Sequence, residues 1–286
     1  MTSAAYTLTL PKRRETSVVF ASPHSGRAYP QTFLAKSVLD ERTIRTSEDA
    51  FVDDLLAVVP TLGAPLLAAK APRAYLDLNR GADELDPAVV EDARSFAHNP
   101  RVASGLGVIP RVVAGGRAIY HGKMPMSEAR SRIRDLWQPY HTCLAKLMDE
   151  SRARFGQAIL IDVHSMPHEA MEAIPARAGK RPEVVIGDRY GASAANDVVS
   201  GIEEAFRAQG FRVARNAPFA GAYIAQTYGR PSIRQHAVQI ELDRALYMDE
   251  RAILPHAQFA DFRARLEPVL RDIALLGQPD ARLAAE

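Results

Sequence analysis

Short runs that are apolar at nearly every position alternate along the chain with longer stretches in which apolar residues recur every three or four positions. The short runs, at residues 17–22, 65–69, 74–78, 159–165, 184–187, 211–215 and 236–242, predict strands, several of them apolar enough to be buried in a sheet. The longer ones predict helices. Residues 47–59 carry Phe51, Val52, Leu55, Leu56 and Val59 on one stripe, with Ser47 as the N-cap. A second helix, capped by Ser127 and ended by Gly156, carries Ile133, Leu136, Trp137, Tyr140, Leu144, Leu147 and Met148, with a kink expected at Pro139. Residues 192–209, closed by Gly210, and 259–276 complete the helices, and strand, helix, strand over 184–215 reads as an α/β unit. Residues 82–122 are rich in Gly, Pro and Asp and read as a long excursion with a hairpin. Irregular segments of that length in compact domains are usually lids or binding loops. No repeat or linker divides the chain, so a single α/β domain over 1–286 is expected.

Several of these strands end in polar groups. Residues 159–165 finish on Asp162, His164 and Ser165, and strand alternation puts Asp162 and His164 on one face. A carboxylate there can ligate a metal or orient a neighbouring imidazole, whereas a solvated strand end would do neither. Residues 17–22 stop at Pro23-His24-Ser25-Gly26, delivering a histidine to a turn. Residues 74–78 run into Asn79 and Arg80, with Arg73 at the other end; a guanidinium so placed can hold a carboxylate by paired hydrogen bonds or simply form a surface ion pair. Glu48 and Asp49 favour a helix dipole and can equally face a metal. In residues 236–242, Val238, Ile240 and Leu242 face one side and Gln239 and Glu241 the other. Burial would raise the pKa of Glu241, which suits a general base, although an ion pair is the commoner fate of such a residue.

Two imidazoles and a carboxylate form a ligand set for catalytic zinc with an open position for water, whose pKa then falls to about 7. Metal-assisted hydrolysis fits this combination better than its rivals. No Gly-x-Ser-x-Gly elbow and no dinucleotide fingerprint is present. His141 and Cys143 lack a partner in sequence and read as structural. Pro167 disfavours a helix between His164 and His168, so His168 reads as loop.

Composition narrows the picture without changing it. The chain has 286 residues, 47% hydrophobic and 24% charged, with 36 basic and 34 acidic side chains interspersed to a net +2. Neither a nucleic-acid surface nor a membrane patch is indicated. The lone Cys143 excludes an intramolecular disulfide and a thiolate-rich zinc site, and with no signal-peptide pattern or spanning apolar stretch a cytoplasmic location is expected.

The order of Ser22-Pro-His-Ser-Gly26, Ser47-Glu-Asp49, Tyr75-Leu-Asp-Leu-Asn-Arg80, Trp137-Gln-Pro-Tyr-His141, Asp162-Val-His-Ser165, Tyr228-Gly-Arg-Pro231, His236-Ala-Val-Gln-Ile-Glu241 and Tyr247-Met-Asp-Glu250 resembles the N-formylglutamate amidohydrolases. The resemblance implies a three-layer, zinc-peptidase-like (phosphorylase/hydrolase-like) α/β fold with a mixed central sheet flanked by helices. It further implies hydrolysis of a small-molecule N-acyl amino acid, N-formyl-L-glutamate to glutamate and formate in histidine breakdown. A deacylase or carboxypeptidase-like hydrolase of other acyl specificity, and a non-catalytic relative that binds the ligand, are the alternatives. By motif position His24, Asp49 and His164 resemble the ligands of one Zn2+ or another divalent ion, with Glu48 the alternative to Asp49 and Asp162 accepting a hydrogen bond from an imidazole behind the ligands. Glu241 resembles the glutamate that activates water. Arg80, with Arg73, Asn79 and Arg111, would hold the substrate carboxylates and steady the oxyanion, and Tyr228 offers a phenol. Some family members have Gly-Gly-His where this chain has Gly221-Ala222-Tyr223, which bears on the acyl amino acid accepted.

Overall fold

The structure is a computed structural model describing residues 5–94, 99–172 and 181–278. Seven strands form one sheet: β1 (Tyr6–Thr9), β2 (Val18–Ser22), β3 (Leu66–Ala69), β4 (Ala158–Met166), β5 (Val184–Gly187), β6 (Val213–Arg215) and β7 (Gln235–Asp243), in the order β1-β3-β2-β4-β7-β5-β6. The sheet is mixed. β2 pairs parallel to β4, β4 parallel to β7 and β5 parallel to β6, while β5 runs antiparallel to β7. Every residue of β2, β4 and β7 is buried, which explains why these strands read as nearly unbroken apolar runs.

The main helices are α1 (Val52–Leu55), α2 (Met126–Arg132), α3 (Gln138–Phe155), α4 (Asn196–Ala208), α5 (Tyr223–Tyr228) and α6 (Phe259–Leu275). A mixed sheet with flanking helices is what the α/β expectation called for.

The chain divides into two compact units. One comprises residues 8–22, 51–67 and 144–286. In it α5 packs on β7 and β4, α1 on β4, and α6 on α4. The core of this unit includes an edge-to-face series in which Phe206 meets Phe211 and Phe211 meets Phe262. The other unit comprises residues 1–7, 23–50 and 68–143 and has its own core around Phe33, Ile44, Ala74, Val113 and Ile119.

Four sequence expectations need correction. Residues 47–59 do not form one helix: residues 45–47 make a 3-10 turn, Glu48 is extended, Phe51 has φ 67°, and only Val52–Leu55 is α-helical. Ser47 therefore caps nothing, and its Oγ accepts from the Ala114 N–H. The cause is long-range, because the Asp49 N–H donates to the His24 carbonyl at 3.0 Å and ties this stretch to the turn after β2. Residues 74–78 are not a strand. The Tyr75 and Leu76 N–H groups both donate to the Pro72 carbonyl, closing a turn, although Leu76 and Leu78 are buried as strand residues would be. The helix expected to be capped by Ser127 is capped two residues earlier, at Pro125, and a π turn (Ile133–Trp137) precedes Pro139. His168 opens a short helix (His168–Glu172) and pairs with Asp243 through Nδ1 at 2.8 Å.

Within the 82–122 excursion, residues 95–98 lie outside the described residues. The expected hairpin is present, with Val112 bridged to Ala118 and the Val113 N–H donating to the Arg117 carbonyl at 2.9 Å. Arg111 is tied inside it, Nε donating to Asp86 Oδ2 at 2.8 Å.

The turn carrying His24 is held by a close backbone approach. The Ala28 N–H donates to the Lys70 carbonyl at 2.9 Å, and a Cβ on Gly26 would run into the Ala71 carbonyl oxygen. Because the clash is with backbone, relief requires the loop to shift. Gly26→Ala is expected to lower unfolding free energy by about 1–3 kcal/mol, measured by urea denaturation; an unchanged midpoint would contradict this packing.

Candidate metal and catalytic site

On residues 23–80, one buried carboxylate organises the polar groups. Asp77 Oδ1 accepts from His24 Nε2 at 2.8 Å and from the Asn79 N–H at 2.8 Å, and its Oδ2 accepts from Arg73 Nε at 3.1 Å. Burial pushes the Asp77 carboxyl pKa up, but the His24 imidazole and the charges of Arg73 and Arg80 outweigh burial and hold it well below the usual range. It is therefore an ionised acceptor. His24 Nε2 therefore carries the proton it donates, and Nδ1, on the other side of the ring, lies 3.4 Å from Asp49 Oδ2. A metal cation placed there would be held by both groups.

Glu48, the alternative to Asp49, is engaged elsewhere. Its carboxylate accepts from Arg45 Nε at 3.0 Å and from the Tyr29 hydroxyl at 2.6 Å. Arg80 is buried, with Nε donating to the Leu106 carbonyl at 2.8 Å and Nη1 to the Asn79 carbonyl at 2.7 Å.

β4 and β7 present a second set. Asp162 Oδ2 accepts from His164 Nε2 at 2.9 Å, so the Nε2 edge of this ring is also taken up by a carboxylate. The parallel register pairs Asp162 with Gln239 and His164 with Glu241, placing all four side chains on one face. Gln239 Nε2 donates to Glu241 Oε1 at 2.7 Å, fixing that carboxylate beside His164. Tyr223 opens α5, half-buried, and Tyr228 ends it, buried.

His24, Asp49 and His164 are all buried, and each offers a ligand atom of a kind that holds a metal. Ligands about 2.1 Å from a tetrahedral zinc ion are about 3.4 Å apart, the separation found between His24 Nδ1 and Asp49 Oδ2. Imidazole nitrogens with one carboxylate oxygen suit zinc by their chemistry, so the residues present fit such an ion.

Two features escaped the sequence reading. Asp77 was visible only as part of Tyr75-Leu-Asp-Leu-Asn-Arg80, and nothing local showed that it reaches a histidine 53 positions away. Arg244, buried three residues beyond Glu241, donates through Nε to Ser165 Oγ at 3.1 Å, and its spacing from Glu241 was the available signal.

An α/β protein with a buried histidine and carboxylate group is the class that this fold and site define. The family model for N-formylglutamate amidohydrolase matches residues 16–248, and the chain belongs to that family. It is 31% identical to an N-formylglutamate deformylase of Pseudomonas aeruginosa over 92% of each chain, and 28% identical to one of Pseudomonas putida over 82% of each. It also superposes on the crystal structure of N-formylglutamate amidohydrolase from Ralstonia eutropha JMP134, with TM-score 0.88 and 34% identity, covering 96% of this chain and 98% of that one.

His141 supplies a test of the local electrostatics. Burial lowers its pKa from 6.5 to about 4, opposed in part by the hydrogen bond to the Leu78 carbonyl. The folded state thus favours the neutral ring. The stability this contributes is complete above pH 6.5 and is lost as pH falls from 6.5 towards 4, a loss on the order of 3 kcal/mol. Urea unfolding at pH 7, 5.5 and 4.5 should show a shallower pH slope for His141→Gln than for the parent, and equal slopes would refute the assignment.

Proposed function

We propose that the chain hydrolyses N-formyl-L-glutamate to L-glutamate and formate, with one divalent metal ion, zinc, held by His24, Asp49 and His164. The observation that carries this reading is the buried pair in which His24 Nδ1 faces Asp49 Oδ2 at 3.4 Å, in a chain of this family. Such an ion supplies Lewis-acid polarisation of the acyl carbonyl and lowers the pKa of a water molecule to about 7.

Around it the protein groups have distinct tasks. Asp77 and Asp162 accept hydrogen bonds from Nε2 of His24 and His164, which orients each ring with Nδ1 as the ligand nitrogen and raises its basicity. Glu241, paired with His164 in register, takes the proton from the attacking water and passes it to the leaving amine. Gln239 holds that carboxylate in place by donating to Oε1. Arg80 binds a substrate carboxylate. Arg73, Asn79 and Arg111 serve the second carboxylate, and Tyr228 offers a hydroxyl. A product with two carboxylates needs more than one cation, which is why several arginines are assigned. Histidine breakdown is the process in which this reaction would serve.

Tyr223 favours a second reading at the level of the acyl amino acid. A phenol donates a hydrogen bond but lacks a near-neutral pKa, so N-acyl amino acids other than N-formylglutamate belong in the test.

Zinc-loaded protein should release formate from N-formyl-L-glutamate, and Glu241→Gln should keep the metal within twofold while kcat falls by about 10²–10⁴. His164→Ala should lose the metal, measured by elemental analysis after dialysis. If metal-replete protein releases no carboxylic acid from any N-acyl amino acid, the hydrolytic reading fails; if Glu241→Gln loses metal, Glu241 is a ligand and another base is required.

A further inference from the structure

The π turn (Ile133–Trp137) ends on a tryptophan whose ring lies 4.1 Å, centroid to centroid, from that of His141 one helical turn on. Both rings direct an N–H at the same short backbone segment. Trp137 Nε1 donates to the Arg80 carbonyl at 2.9 Å, and His141 Nε2 donates to the Leu78 carbonyl at 2.9 Å. Between these points the Asn79 N–H is held by Asp77 Oδ1 and the Asn79 carbonyl by Arg80 Nη1. Residues 78–80 therefore have both outer carbonyls and both central amide groups bound, in a stretch with no regular secondary structure to fix it.

The arrangement fixes the direction of one side chain. The Arg80 guanidinium gives Nε to the Leu106 carbonyl and one Nη1 hydrogen to the Asn79 carbonyl. Among the described residues no hydrogen bond engages Nη2, so the Nη1/Nη2 end presents the parallel pair of donors that a carboxylate accepts. π turns occur often at functional positions, and this one places an indole donor where an ordinary interior helical residue would need only to pack.

We propose that Trp137 and His141 are positioning residues that aim the Arg80 guanidinium at a substrate carboxylate, acting through the backbone of residues 78–80. This rests on the reading of Arg80 as a carboxylate-binding residue. Neither ring touches substrate. Removing either donor leaves a buried carbonyl unpaired, loosens the segment and misaligns the guanidinium, which weakens recognition of the carboxylate.

The test compares kcat/KM for N-formyl-L-glutamate with that for its side-chain amide and its α-amide, so that the acid-to-amide ratio reports each carboxylate separately. Arg80→Lys should lower one ratio at least tenfold. Trp137→Phe, which keeps a ring and removes the N–H, should lower the same ratio three- to tenfold through KM, with kcat and bound zinc within twofold of the parent. If Arg80→Lys changes neither ratio, the carboxylate role of Arg80 fails and takes this inference with it. If Arg80→Lys lowers a ratio but folded Trp137→Phe does not, or loses kcat equally on all three substrates, the positioning role alone is overturned. Should Trp137→Phe not fold, His141→Phe against His141→Gln decides: loss of the ratio in the first and recovery in the second, which keeps an N–H donor, supports the inference, and equal ratios in the two refute it.

Discussion

The Asp77 carboxylate is the constraint on which the polar architecture of residues 23–80 depends. A buried charge is tolerated only when its lone pairs are taken up, and here an imidazole, a guanidinium and a backbone amide do so. Each donor is fixed in return. The His24 ring has its tautomer set, Arg73 is held at one end of the turn, and the chain direction at Asn79 is determined. Asp162 does the same for His164 on β4 by a different route, since there the partner lies two residues away on a rigid strand. Both histidines thus have the Nε2 edge bound to a carboxylate, one through a loop and the other through a sheet.

Burial on both faces of the sheet sharpens the contrast between the apolar and polar stretches of its strands. β4 and β7 are buried along nine residues each, so any polar side chain on them must find a partner within the protein or a ligand. Asp162, His164, Gln239 and Glu241 lie on one face through the parallel register, and the hydrogen bonds Asp162 to His164 and Gln239 to Glu241 run along the strands rather than across them. In such sheets ligand sites form beyond the carboxyl ends of the strands, where His164 and Glu241 stand. The sheet thus supplies rigid spacing between a candidate metal ligand and a candidate base, a spacing that loops would hold less well.

What was legible in the sequence follows the range of the forces involved. β2, β4 and β7 could be read because double-sided burial writes itself as a continuous apolar run ending in chemistry-bearing residues. Residues 74–78 misled because Leu76 and Leu78 alternate and are buried, as in a strand, while the turn depends on the Pro72 carbonyl accepting two amides. The helix expected over 47–59 failed because the Asp49 amide bonds to His24 and Phe51 takes a left-handed conformation, neither of which leaves a periodic trace. Motif order identified His24, Asp49 and His164 as candidates where spacing alone left Asp49 and Glu48 undivided. The Tyr29 and Arg45 contacts that occupy Glu48 became visible only in three dimensions.

The same segment of backbone supports two different chemistries. The Asn79 amide completes the shell of Asp77, which orients His24, and the next residue carries the guanidinium assigned to substrate. Trp137 and His141 fix that segment from the helical side, using two neutral donors that stay neutral across the physiological range because the indole does not titrate and burial holds His141 at about 4. A charged donor in either place would add a cation near Arg73 and Arg80 and compete for Asp77. Neutral donors secure the carbonyls without disturbing the balance between one buried carboxylate and its two arginines, and this gives a physical reason for aromatic N–H groups, rather than lysine or arginine, at these two positions.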